Sequence, residues 1–301
     1  MNIIVERENA KMSETREKIK EMEVMVADVI PEAHDTVTLV LFTGNDRLNY
    51  QPGHFLTISP QQFPALERWT HYLENLKGKK EKPRAYSMCS SPDEKYLAIT
   101  VKEERYVPGV TPFPPLLSPI LAMRTPRGTK MVVTGFTGPY TLTEDMRSSN
   151  DNVVHICAGS GIVPSFSIIK HDLRVNEKLK HILIYSNKKF DDIIFFRQLA
   201  ELEKEFPNRL RVIHTLTREE NQTIFNDKIL PGRISKQLLQ ELISTPENSV
   251  FFTCGPDHHN WQKKAAQEKG ETLPPSFLSS VLTYLDDMGV PKNKITKESY
   301  G

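Results

Sequence analysis

The hydrophobic pattern of the chain changes its period near residue 150, and this change limits the fold to two dissimilar halves. Between residues 22 and 147, six short β-branched or alternating runs are separated by segments rich in Gly, Pro, Asn and Asp. These runs predict an antiparallel β-barrel or sandwich, because they show no regular alternation with crossover helices. From residue 150 onward, strand-like runs alternate with helical patterns, which predicts a doubly wound parallel sheet with helices on both faces.

Two segments depart from this simple division. Residues 62–82 interrupt the β-rich half, and their apolar residues recur at three- and four-residue spacing, which predicts a helical insertion followed by a Lys-rich turn. Residues 1–21 are rich in Glu, Lys and Arg and predict a charged, solvated N-terminal tail. The chain is therefore predicted to contain this tail, a β-domain over residues 22–147 and an α/β domain over residues 150–301.

Composition argues against several classes of protein. The 301 residues contain 39 Lys and Arg against 38 Asp and Glu, whereas dedicated nucleic-acid-binding domains are usually strongly basic. No apolar run reaches the ~18 residues that a membrane-spanning helix needs, and the charged N-terminus lacks the apolar core of a secretory signal. Cys89, Cys157 and Cys254 show no spacing typical of a disulfide framework or a metal site. We therefore expect a cytoplasmic protein.

The strongest local motif is the GSGIVP sequence that begins at Gly159. It follows an apolar strand-like run and opens a helical pattern, which is the context of a dinucleotide-binding turn. Gly159 and Gly161 allow the backbone to approach a pyrophosphate closely, and the helix start offers free N–H groups. Pro164 replaces the third glycine of the usual fingerprint and suits the first helical turn. An ordinary strand–helix turn is the alternative explanation.

Two other motifs are weak evidence of a functional site when each is taken alone. Arg84, Tyr86 and Ser87, in the sequence RAYS, begin a predicted strand, and an exposed strand face is the simpler explanation for them. Cys254 opens the sequence CGP at the carboxyl end of a predicted strand, where ligands of open α/β sheets bind. A buried, inert cysteine before a turn is the alternative there.

In this order, however, RAYS, GSGIVP and CGP resemble the ferredoxin–NADP reductase family of flavoproteins. Near the end of the chain, Glu298 and Tyr300 are similar to the glutamate and aromatic residue of the family's last strand. The resemblance covers residues 22–301. It implies an FAD-binding β-barrel followed by an NAD(P)-binding α/β domain, in which a nicotinamide delivers hydride to flavin N5.

The resemblance also implies roles for individual residues. Arg84 would pair with the FAD pyrophosphate, while Tyr86 and Tyr300 would pack on opposite faces of the flavin ring. Cys254 and Glu298 would approach the nicotinamide. The implied FAD-binding residues are Arg84, Ala85, Tyr86, Ser87, Ser118 and Tyr300. The implied NAD(P)-binding residues are Gly159, Gly161, Pro164, Thr217, Arg218, Gly255 and Pro256. The implied catalytic residues are Ser87, Cys254, Glu298 and Tyr300, and no metal ligand is predicted.

The predicted strand ends favour NADPH over NADH. Enzymes that use NAD usually place an acidic residue at the end of the second strand, whereas residues 186–189 here read SNKK. Thr217 and Arg218, at the end of the third strand, are similar to the Ser-Arg pair with which NADPH-dependent members hold the 2′-phosphate. An exposed Arg218 with no ligand is the alternative.

The predicted activity is reduction of bound FAD by NAD(P)H, followed by transfer of single electrons to a separate acceptor. A ferredoxin, a flavodoxin, an oxygenase component or a cytochrome would fit, because the 301 residues contain no recognisable ferredoxin or haem domain. The Lys-rich turn of the insertion, with Lys77, Lys79, Lys80 and Lys82, is a candidate docking surface for an acidic acceptor, and a solvated turn that only keeps the protein soluble is the alternative. A flavin reductase that releases reduced flavin, and a non-catalytic nucleotide-binding subunit, remain open alternatives. The set Arg84, Tyr86 and Ser118 favours retained FAD.

Overall fold

The computed structural model describes residues 21–44, 48–108 and 111–300, and the first half of these residues forms an antiparallel sheet. Its strands are β1 (Met22–Ala33), β2 (Thr36–Phe42), β3 (Phe55–Ile58), β4 (Arg84–Ser87), β5 (Leu97–Lys102) and β6 (Lys130–Thr137). They lie in the order β4-β3-β6-β1-β2-β5. All six coincide with runs from which the sequence predicted strands. The predicted tail lies outside the described residues, apart from residue 21.

The two edge strands of this sheet meet. Met88, directly after β4, forms an antiparallel bridge with Ile99 in β5, so the sheet closes into a barrel. Alternate residues at the start of β1, namely Met22, Val24 and Val26, are buried in the core that fills it. Alternation is expected because successive side chains of a strand point to opposite faces. The predicted antiparallel β-fold is confirmed.

The insertion between β3 and β4 contains a helix, α1 (Glu67–Lys77). Leu73 is buried and Trp69 is partly buried against the barrel core, as the spacing predicted. The helix ends at Gly78, whose φ of 63° lies in the left-handed region that glycine adopts at helix ends. The Lys-rich turn follows this glycine, and its Lys79, Lys80 and Lys82 are exposed, whereas Glu81 is buried.

One short helix precedes the last strand of the barrel, a second follows that strand, and a fully parallel sheet comes next. The short helices are α2 (Ser118–Met123) and α3 (Glu144–Ser148). The strands are β7 (Asn152–Ala158), β8 (Lys180–Asn187), β9 (Leu210–Leu216), β10 (Ile229–Pro231), β11 (Ser249–Gly255) and β12 (Ile295–Ser299). Their order, β10-β9-β8-β7-β11-β12, changes direction between β7 and β11. In open α/β sheets, ligands bind at the carboxyl ends of strands beside such a switch point.

Five further helices belong to this domain. They are α4 (Ile162–Val175), α5 (Phe196–Glu205), α6 (Lys236–Leu242), α7 (Asn260–Lys269) and α8 (Phe277–Asp287). Four of them, α4, α5, α6 and α8, cover both faces of the parallel sheet. Leu173 of α4 and Leu199 of α5 belong to one buried cluster, whereas Leu239 of α6 and Leu285 of α8 belong to another. The predicted doubly wound fold is confirmed. Among the described residues, no helix combines the length and apolarity that crossing a membrane requires.

Helix α4 links the parallel sheet to the barrel. Ser167 donates a hydrogen bond to the carbonyl of Ser90 at 2.6 Å, and both atoms are buried. Lys170 bonds the carboxylate of Glu94 at 2.7 Å in the same loop of the barrel. The helix that begins at the GSGIVP turn is therefore anchored, along its length, to the other domain.

Candidate active site

The two domains bring distant residues together at one end of the parallel sheet. Cys254 on β11 lies in register between Cys157 on β7 and Glu298 on β12. From the barrel, Ser87 at the end of β4 accepts a hydrogen bond from the hydroxyl group of Tyr300. The four residues predicted as catalytic, Ser87, Cys254, Glu298 and Tyr300, therefore gather at the junction of the domains. Whether they take part in catalysis remains a prediction.

The carboxyl group of Glu298 lies in an unusual environment. Its Oε2 atom is buried and has no hydrogen-bond partner among the residues that the structure describes. Burial raises the pKa of Glu298 to about 7, because the charged form loses its hydration. Glu298 can therefore hold or release a proton at neutral pH, which is the property of a group that assists proton movement.

Cys254 offers a small and uncharged surface. Its side chain is fully buried, and burial, together with Cys157 and Glu298 nearby, raises the pKa of the thiol well above its usual value. A thiol that stays protonated is a poor nucleophile. Cys254 is therefore suited to make space for a planar ring, and covalent attack through its sulfur is disfavoured.

Glycine occupies the two positions of the GSGIVP turn for different structural reasons. A Cβ atom on Gly161 would lie 2.2 Å from the carbonyl oxygen of Cys254, so only glycine allows the turn to pack on β11. Gly159 has a φ of +54°, and a Cβ atom there would meet nothing within 4 Å. Its open side leaves room for a ligand beside the start of α4, where backbone N–H groups favour an anion. Pro164 is buried in the first turn of the helix, where it needs no hydrogen-bond donor.

Arg84 on β4 is held by a residue that the sequence analysis did not single out as a site residue. Arg84 Nη2 donates to Glu81 Oε2 at 2.6 Å, and Nη1 donates to the Lys82 carbonyl at 2.6 Å. Glu81 is buried and also bonds Lys77 Nζ. Burial alone would raise the pKa of Glu81, but its bonds to Lys77 and Arg84 lower the pKa below the usual value. The guanidinium keeps further N–H donors, since two of its five are used.

The remaining predicted FAD residues of the barrel domain lie on β4 and at the start of α2. Arg84 and Tyr86 share one face of β4, and Tyr86 is partly buried against the barrel core. Ser118 begins α2, and its hydroxyl accepts the backbone N–H of Glu104 at 3.1 Å. A partly exposed cation, an aromatic face and the buried Ser87 next to them match the pyrophosphate and the flat ring of FAD. The residues present therefore fit this cofactor.

The residues predicted to contact the 2′-phosphate of NADPH lie elsewhere, at the ends of β8 and β9. The backbone N–H of Arg218 donates to the Lys188 carbonyl at 2.8 Å, so the ends of β8 and β9 are joined. Both side chains are exposed, whereas Glu219 turns its carboxylate back to the N–H of Phe190 at 3.0 Å. Thr217 bonds the Asn187 carbonyl at 3.3 Å. The ends of β8 and β9 therefore carry exposed cationic side chains, and they are separate from the domain junction that contains Glu298.

Gly255, the last residue of β11, and Pro256 pack against the start of α8. A Cβ atom on Gly255 would lie 2.4 Å from Phe277, so glycine is required for this close packing. The Pro256 carbonyl accepts the N–H of Leu278 at 3.2 Å, and the Gly255 carbonyl accepts that of Tyr300 at 3.2 Å. A cavity of about 310 Å³ opens here and is lined by Pro256, Asp257, His258, His259, Gln262, Ser276, Phe277 and Tyr300. It provides space next to Tyr300 for a ligand of the second domain.

Comparison with known proteins agrees with this architecture. A family model described as an oxidoreductase NAD-binding domain matches residues 155–259. NADH-cytochrome b5 reductase 2-B of Vanderwaltozyma polyspora is 30% identical over 54% of this chain and 52% of that relative. The ferredoxin reductase component of 3-ketosteroid-9-alpha-monooxygenase from Mycobacterium tuberculosis is 30% identical over 78% of this chain and 58% of that relative. The chain thus spans about half the length of these curated relatives.

A solved structure shares the fold over both domains. The flavohem-like FAD/NAD-binding domain of nitric oxide dioxygenase from Vibrio cholerae superposes with a TM-score of 0.68 at 22% identity, covering 93% of this chain and 98% of that one. The barrel, the parallel sheet and their junction define a two-domain module that binds a flavin and a pyridine nucleotide. The chain has the two-domain fold and the NAD-binding domain of ferredoxin–NADP reductase-like NAD(P)H oxidoreductases, whose typical cofactors are FAD and NAD(P)H.

Proposed function

We propose that this protein takes hydride from NADPH onto N5 of bound FAD and passes single electrons to a separate acceptor protein. The observation that carries the proposal is the contact between Ser87 of the barrel and Tyr300 of the parallel domain, next to Cys254 and Glu298. This junction lets a flavin held by the barrel face a nicotinamide held by the sheet. FAD, when bound, would accept the two electrons of a hydride together and allow their release one at a time.

The residues of the chain have separate tasks in this proposal. Arg84 binds the FAD pyrophosphate with its free N–H donors, and Tyr86 covers one face of the flavin ring. Tyr300 covers the other face and must move before a nicotinamide can stack there, which makes its movement a gating step. Cys254 leaves room for the nicotinamide ring, and the carboxyl of Glu298, which can carry a proton at neutral pH, orients the ring or holds a proton beside it.

The preference for NADPH is supported by the charges at the ends of β8 and β9. Lys188 and Arg218 are exposed there, and Glu219 is turned toward the backbone of Phe190. An exposed guanidinium suits a 2′-phosphate, which can accept two parallel hydrogen bonds from it. NADH lacks this phosphate, so the same corner would give it no charge-assisted contact.

The acceptor is proposed to be a separate electron-transfer protein, such as a ferredoxin, a flavodoxin, an oxygenase component or a cytochrome. One relative is described as a cytochrome b5 reductase and another as a ferredoxin reductase component. We also propose a cytoplasmic location, since Cys89, Cys157 and Cys254 are all free thiols.

Flavin content and flavin reduction test this function together. The purified protein should carry one FAD, and stopped-flow mixing with NADPH should bleach its absorbance. Cys254→Leu and Glu298→Leu should slow this reduction while FAD content stays the same, because both residues approach the nicotinamide side. A colourless protein that binds NADPH would instead support the non-catalytic alternative. Loss of FAD with each turnover would support a flavin reductase.

A further inference from the structure

A buried tyrosine of the parallel sheet is hydrogen-bonded to the GSGIVP turn. Tyr185 lies in β8, is fully buried, and is paired in register with Cys157 on β7. Its hydroxyl donates a hydrogen bond to the carbonyl of Gly159 at 2.8 Å. The same carbonyl also accepts the N–H of Ile162 at the start of α4. The orientation of the Gly159 carbonyl is therefore fixed by two donors, one of which is a side chain from the neighbouring strand.

The direction of this carbonyl determines the direction of the next N–H. The described peptide bonds are all trans, and in a trans peptide the C=O and N–H groups point in opposite directions. Because the Gly159 carbonyl points inward to Tyr185, the N–H of Ser160 points outward. Gly159 itself adopts a φ of +54° with open space beside it. The outward N–H and the open space therefore lie at the same turn.

We propose that Tyr185 is a positioning residue for nucleotide binding: it orients the Gly159–Ser160 peptide so that the Ser160 N–H faces the pyrophosphate of the pyridine nucleotide. The inference rests on the proposed function, since it assigns the open side of this turn to NADPH. Gly161 holds the other end of the turn against the Cys254 carbonyl. With both ends fixed, the turn is preorganised, and the nucleotide does not have to order it on binding.

The Tyr185→Phe variant removes the hydroxyl and keeps the ring. Its dissociation constant for ADP-ribose, which carries the pyrophosphate but no reactive ring, should rise by roughly three- to tenfold, the effect of one hydrogen bond. The KM for NADPH should rise by a similar factor. FAD content and the limiting rate of flavin reduction should stay the same, because the hydride-transfer junction is not altered.

Tyr50→Phe is the matched control. Tyr50 is also a buried tyrosine, and its hydroxyl bonds Ser90 Oγ at 2.9 Å in the barrel, so its removal leaves the bond to the Gly159 carbonyl in place. Both variants should lose a similar amount of thermal stability, but only Tyr185→Phe should lose ADP-ribose affinity. Equal ADP-ribose affinity in Tyr185→Phe and wild type, or equal losses in both variants, would overturn the inference. If the wild type binds no ADP-ribose and is not reduced by NADPH, the proposed function itself fails.

Discussion

Glu81 and Arg84 form a hydrogen-bonded ion pair of 2.6 Å that joins the helical insertion to the strand carrying the RAYS motif. Glu81 is further fixed, because its backbone N–H bonds Glu74 and its carbonyl accepts from Gln61. A guanidinium held in place before a phosphate arrives loses little side-chain freedom on binding. The insertion is therefore part of the support of the proposed FAD site.

Arg84→Ala should weaken FAD retention. The variant loses a charge-assisted contact to phosphate worth roughly 1.5–3 kcal/mol, so FAD should dissociate about ten to a hundred times more readily. Flavin content after extended dialysis measures the effect. Arg127→Ala is the control, since Arg127 is an exposed arginine of the same domain that pairs with Asp28. Full flavin content in dialysed Arg84→Ala would remove Arg84 from the FAD site.

Substitution by alanine should affect nucleotide binding at one glycine of the turn and stability at the other. Gly159→Ala places a methyl group in open space, at a strain of roughly 1–2 kcal/mol for the left-handed conformation, and should mainly obstruct nucleotide binding. Gly161→Ala drives a methyl group into the Cys254 carbonyl and should mainly lower stability. Thermal melting and ADP-ribose titration separate the two effects. If Gly159→Ala binds ADP-ribose like wild type, the ligand does not use the open side of this turn.

The sequence pattern predicted both sheets because each has its own hydrophobic period. It also predicted that Leu73 would pack on the barrel, since helical spacing places one stripe of residues on one face. The three-residue strand β10 was not predicted, because a strand so short has no measurable period. Tyr185 and Glu81 were not identified as site residues, because their contacts depend on tertiary packing and follow no local motif.

The same limit applies to the candidate site. RAYS, GSGIVP and CGP were found from residue type and spacing, whereas the contact between Ser87 and Tyr300 joins residues 213 positions apart. Thr217 and Arg218, together with the lack of an acidic residue in the sequence SNKK, predicted a contact with the 2′-phosphate at these strand ends. No pattern indicated that Glu219 would turn its carboxylate toward Phe190, because that depends on a loop conformation.

Glu298 should make the protein less stable as pH rises. Its pKa is raised by burial from 4.5 to about 7, so the folded state binds the proton more tightly than the unfolded state. The resulting stabilisation is present below pH 4.5 and is lost as pH rises through about 7. Glu298→Gln should remove roughly 1–3 kcal/mol of this pH dependence, measured by urea unfolding on both sides of that range. Exposed Glu23 provides the control variant, Glu23→Gln, and parallel curves for Glu298→Gln and wild type would contradict the prediction.

Arg218→Ala should shift the preference from NADPH toward NADH. Loss of a charge-assisted contact should lower kcat/KM for NADPH by roughly tenfold or more and leave that for NADH nearly unchanged. Arg211→Ala is the control, because Arg211 is an exposed arginine near the opposite end of the same strand. Equal losses with both nucleotides would mean that Arg218 does not contact the 2′-phosphate.

The Lys-rich turn should attract an acidic acceptor protein. Lys79, Lys80 and Lys82 are exposed, whereas Lys77 is bonded to Glu81 and lies 4.5 Å from the ring of Phe113. Lys77 therefore has a structural role, and the charge-reversal variant that tests docking should keep Lys77 as it is. Replacing Lys79, Lys80 and Lys82 by Glu should slow electron transfer to an acidic ferredoxin and weaken its salt dependence, because exposed charges mainly raise association rates.

Flavin reduction by NADPH should stay normal in this triple variant, since the three lysines are exposed and the Glu81–Arg84 pair that supports the proposed FAD site is left in place. The matched control replaces Lys178, Lys180 and Lys204, three exposed lysines of the α/β domain, by Glu and changes the net charge by the same amount. Only the variant of the turn should lose the salt-dependent part of the rate. If both triple variants slow electron transfer equally at low salt, the overall charge of the protein attracts the acceptor and the turn has no docking role.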